Sequence, residues 1–77
     1  MIDVRVSIHN RDRKISAMVK ALAFEVSGPP SVVGASKEFL EQNGYLMFHF
    51  PSREKVTEFQ EDLGEYLPGL LASIMSP

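Results

Sequence analysis

Between the turn signal Asn43-Gly44 and the stop at Pro51 runs Tyr45-Leu46-Met47-Phe48-His49-Phe50, six large residues whose composition and boundaries suit a central β-strand. Side chains alternate along a strand, so Leu46, Phe48 and Phe50 share one face while Tyr45, Met47 and His49 share the other. A chain of 77 residues has room for one domain, spanning 1–77, and one small core. The rest of the sequence must therefore supply what packs against this strand.

Taken from the start, Ile2 to His9 alternates cleanly, with Ile2, Val4, Val6 and Ile8 on one face and Asp3, Arg5, Ser7 and His9 on the other. It reads as the first strand. Asn10 to Lys14 contains no apolar residue and offers Asn10 and Asp12 as helix caps; Ile15, Met18, Val19, Leu22 and Val26 then follow helical spacing. A helix over about 12–25 follows, ended by Ser27-Gly28-Pro29-Pro30. After Pro51, Ser52 is an N-cap for a second helix whose stripe is Val56, Phe59, Leu63 and Leu67 and whose outer face is acidic. Pro68-Gly69 turns the chain into a closing strand over Leu70 to Met75.

Residues 31–42 admit two structures. Val32-Val33-Gly34-Ala35 looks extended. If Asn43-Gly44 forms a two-residue hairpin turn, 37–42 pairs with 45–50, which sets Phe39 opposite Phe48 and Leu40 opposite Met47. Alternatively, Gly44 is the C-terminal cap of a helix over about 36–42. The hairpin is favoured, because a helix of under two turns contributes little by itself.

The order strand, helix, strand, strand, helix, strand describes a ferredoxin-like βαββαβ sandwich, an α+β fold with a four-stranded antiparallel sheet and two helices on one face. The open face then carries Arg5, Ser7, His9, Tyr45, Met47, His49 and, through the hairpin, Leu40. That mixture is too apolar to leave in water, and small sheets commonly cover a bare face by dimerising. The expectation is a non-enzymatic binding domain, a homodimer through this face, acting on another protein as adaptor, regulator or inhibitor.

Composition narrows the alternatives. The absence of cysteine removes disulfides, thiolate metal sites and thiol catalysis. No apolar run reaches the roughly 20 residues that span a bilayer, and the first residues lack the basic and then apolar order of a signal peptide, so a cytoplasmic location is expected. His9 and His49 share a face but lie far apart in an antiparallel register, and no third ligand completes a metal set. No phosphate loop or nucleophile elbow is present, and neither catalytic residues nor a cofactor are expected. Charge is uneven: residues 1–30 carry five bases and three acids, residues 31–77 three bases and seven acids.

Val4 to Arg13 followed by Ile15, Met18, Val19 and Leu22, and Tyr45 to Phe50 followed by Val56, Phe59 and Leu63, resembles the layout of ACT-type regulatory domains. The resemblance implies dimerisation through sheets and a small effector, often an amino acid, bound near the loop between strand one and helix one, here Asn10, Arg11, Asp12, Arg13 and Lys14. Asn43 to Phe50 is also similar to the third strand of RNA-recognition motifs, where exposed aromatic residues stack on bases. Met47 stands where a second aromatic belongs and the net charge is −2, so nucleic acid is not the expected partner.

Overall fold

A computed structural model describes residues 2–28, 34 and 36–75. Three strands, β1 (Ile2–Ser7), β2 (Tyr45–Phe50) and β3 (Ala72–Ile74), form one antiparallel sheet in the order β2-β1-β3. Among the described residues three helices accompany it: α1 (Arg13–Ser27), α2 (Lys37–Asn43) and α3 (Arg53–Tyr66). A 3-10 turn at His9–Arg11 joins β1 to α1.

The alternating strand pattern translates directly into burial. Val4, Val6 and Ile8 point inward from the β1 segment and Leu46, Phe48 and Phe50 from β2, and all six are buried. The register sets Val4 opposite Phe48 and Val6 opposite Leu46, so the two rows interlock on one face. Val56, Phe59 and Leu63 of α3 close over them. Phe59 lies 5.5 Å from Phe48 and 5.0 Å from Phe50 between ring centres, an aromatic cluster at the middle of the core.

Helix α1 meets the core largely by the predicted stripe, with Met18 as the exception and Ala23 added. Val19, Ala23 and Val26 are buried, Ile15 and Leu22 are partly so, and Met18 is 47% exposed. Turning Ala23 inward puts a small side chain at the contact, and Met18 on the rim. Of the candidate caps, Asp12 accepts from the amides of Lys14 and Ile15 and Ser52 from that of Lys55, while Asn10 lies within the 3-10 turn and caps no helix.

The four-stranded ferredoxin-like sandwich is not what forms. Residues 37–42, expected as the second strand of a hairpin, belong to helix α2, and the sheet has three strands among the described residues. Both ends of this short helix are satisfied. Ser36 caps the amide of Phe39 at 3.0 Å, the Asn43 side chain donates to the Phe39 carbonyl at 2.9 Å, and the Gly44 amide donates to the Leu40 carbonyl at 2.8 Å. Gly44 sits at φ 77°, ψ 7°, the left-handed conformation that a helix C-cap takes and that glycine adopts without a side-chain clash. The decisive term is tertiary: on a helix Leu40 is buried in the core, whereas the hairpin would have sent it to the open face. The closing strand is also shorter than Leu70 to Met75, reduced to Ala72–Ile74. The extended reading of Val32-Val33 and the stop at Pro29-Pro30 lie outside the described residues.

Candidate functional site

Two surfaces gather the side chains singled out by the sequence. The first is the sheet face away from α1 and α3. Cross-strand register brings Asp3 opposite His49, Arg5 opposite Met47 and Ser7 opposite Tyr45, with Ser73 of β3 flanking Arg5. The polar members are already engaged with one another. His49 Nδ1 and Asp3 Oδ1 are hydrogen-bonded. The Arg5 guanidinium lies 5.1 Å from the centre of the Tyr45 ring, a cation–π contact. Tyr45 also receives Phe39 of α2 edge-on at 5.6 Å.

Helix α2 thus straddles the outer edge of β2, with Leu40 on the core side and Phe39 against Tyr45. Along that edge the Met47 amide donates to the Gly34 carbonyl at 3.1 Å. The open face keeps Arg5, Ser7, Tyr45, Met47 and His49 together, all exposed or half-buried. It loses Leu40 to the core, and His9 to the 3-10 turn beyond the strand end. Asp3 is the member that the apolar pattern undervalued: its signal was the cross-strand pairing with His49.

The second surface is a cleft of about 190 Å³ between α1, α2 and the β1–α1 turn. Arg13, Ser16 and Lys20 face it from α1 at helical spacing, Lys37, Leu40 and Glu41 face it from α2, and Arg11 reaches in from the turn. Asn10 and Arg11 both have positive φ, 56° and 50°, an uncommon pair of left-handed non-glycine residues. Arg11 Nε donates to the Glu41 carbonyl at 3.0 Å, tying the turn to the end of α2. Arg13 approaches the Glu41 carboxylate at 3.8 Å, but both side chains are more than half exposed and the pair holds little energy.

Of the loop residues expected near an effector, Arg11 and Arg13 line the cleft, Asp12 is spent on capping α1, and Asn10 and Lys14 are exposed elsewhere. Ser16, Lys20, Lys37 and Glu41 were missed. The α1 set was readable as one helix face; Lys37 and Glu41 join Leu40 on one side only if their segment is helical, which the hairpin reading hid.

A third concavity, between α1 and α3, is lined by Met18, Leu22 and Tyr66 and is mostly apolar. Among the described residues no helix is long and apolar enough to cross a membrane, and no three His, Asp or Glu side chains converge as a metal set. Comparisons with protein-family models, curated proteins and solved structures return no match to the chain.

Proposed function

We propose that the domain works by binding rather than by catalysis, and that its open sheet face docks a second copy of the chain. The observation that carries this reading is a three-stranded face on which Tyr45 and Met47 stay only half-buried, while α1 and α3 close the other side. Charge adds to it. Asp3 and Arg5 are neighbours on the same face of β1, so a two-fold axis between them brings the acid of one copy to the base of the other. The outer edge of β2 is guarded by α2, which favours face-to-face docking over extension of the sheet on that side.

The test is solution mass by light scattering across a concentration series. Wild type is expected to dimerise. Met47→Asp, which buries a carboxylate at the centre of the contact, should weaken dimerisation at least about tenfold. Met18→Asp, in the apolar groove between the helices, should leave it unchanged. A wild-type monomer at all concentrations, or dissociation by Met18→Asp and not by Met47→Asp, sinks the reading.

A further inference from the structure

On a molecule whose net charge is −2, the α1–α2 cleft collects four cations, Arg11, Arg13, Lys20 and Lys37, against the single carboxylate of Glu41. Like charges lining one cleft repel, and none of the four belongs to the buried core: Arg11, Arg13 and Lys37 are exposed and Lys20 is half-buried. Lys20 and Lys37 form no ion pair among the described residues.

The uncharged polar member of the lining is informative too. Ser16 is the one buried polar residue among those described, 5% exposed, and its hydroxyl makes no hydrogen bond to another described residue. Fully buried side-chain polar atoms without a partner are absent among the described residues, so the Ser16 hydroxyl keeps its access through the cleft it lines. The N-terminus of α1 is already occupied by Asp12, so the positive character belongs to side chains and not to a helix end.

We infer that this cleft binds a phosphoryl group, as inorganic phosphate or as the phosphate of a small phosphomonoester. A dianion with several acceptor oxygens matches a convergent set of Arg, Lys and hydroxyl donors, whereas a lone carboxylate leaves most of them unanswered. The volume suits a compact ligand, and the acidic outer face of α3 opposes a polyanion.

The test is an amide NMR titration at low ionic strength with inorganic phosphate and with phenyl phosphate, using acetate and chloride at matched ionic strength as controls. Saturable shifts confined to residues 11–20 and 37–41 are expected with the two phosphates only. Lys20→Ala with Lys37→Ala should weaken binding at least about tenfold, and Ser16→Ala by about threefold to tenfold. Met47→Asp should leave it intact, so the cleft and the sheet face stand or fall separately. Shifts that track ionic strength with every anion, equal binding of acetate, or unchanged affinity in the double lysine variant overturn the inference; thermal melts establish that each variant is folded.

Discussion

The domain contains two strand–helix units, β1 with α1 and β2 with α3, which share a plan and differ in where their weight lies. In the second, only Pro51 and Ser52 separate strand from helix, and the unit brings Phe48 and Phe50 both against Phe59. In the first, five residues intervene, two of them at positive φ, and the buried apolar set is Val4, Val6, Ile8, Val19, Ala23 and Val26 with no aromatic ring. The first unit instead presents Arg11, Arg13 and Lys20 to the cleft. Packing strength and candidate chemistry are thus divided between two similar pieces of chain. A rigid aromatic unit lets its neighbour carry a strained joint and a crowd of like charges.

The largest effect should come from removing the aromatic anchor. Phe59 is fully buried between two rings, so Phe59→Ala is expected to cost about 3 to 5 kcal/mol. A domain of this size has a total stability of about 4 to 12 kcal/mol, and the variant should be largely unfolded at modest urea concentration. The equivalent cut in the first unit, Val19→Ala, removes two methyl groups and should cost about 2 kcal/mol. Urea unfolding of the two variants decides the comparison. Equal costs would mean that packing is shared evenly and that the division drawn here is false.

Gly44→Ala comes next. At φ 77° an added side chain strains the backbone by about 1 to 2 kcal/mol, and the new methyl would lie 3.4 Å from the Arg11 guanidinium. Circular dichroism should show loss of helix at α2 with the sheet retained. The cleft should also lose its α2 wall, since Arg11 is tied to the Glu41 carbonyl one turn away. Unchanged stability would be incompatible with a left-handed cap.

That same glycine marks the limit of what was legible. The strand Tyr45–Phe50, the caps Asp12 and Ser52 and the stripe Val56, Phe59, Leu63 were readable because each signal is local: alternation, a short polar residue before a helix, a 3.6-residue period. Asn43-Gly44 is degenerate, since a positive-φ glycine serves a hairpin turn and a helix cap equally. What separates the two is whether Leu40 finds the core, a fact of tertiary structure. The cleft fell with that choice, because Lys37, Leu40 and Glu41 share a side only on a helix. That Met18 lies at the rim of the α1 stripe while Ala23 is buried is likewise set by contact with the sheet and α3, and helical spacing alone admits either at the contact.

The smallest effects lie at the caps, and they address the joints directly. Asp12 accepts two amides, from Lys14 at 2.8 Å and Ile15 at 3.1 Å, and its negative charge faces the positive end of α1. Ser52 accepts one, from Lys55 at 3.4 Å. Asp12→Ala should therefore cost about 1 to 2 kcal/mol, and Ser52→Ala about 0.5 kcal/mol. Salt should narrow the gap by screening the charge. The consequences differ in kind as well. Asn10 and Arg11 hold left-handed conformations that oppose the joint, and the Asp12 cap is part of what offsets them. Its loss should fray the first turn of α1, speeding hydrogen exchange at Lys14 and Ile15 and displacing Arg13 from the cleft. At Ser52 the strand enters its helix without such strain, so exchange beyond Lys55 should stay slow. If Ser52→Ala frays its helix as much as Asp12→Ala, the strained turn contributes nothing, and the two joints are equivalent after all.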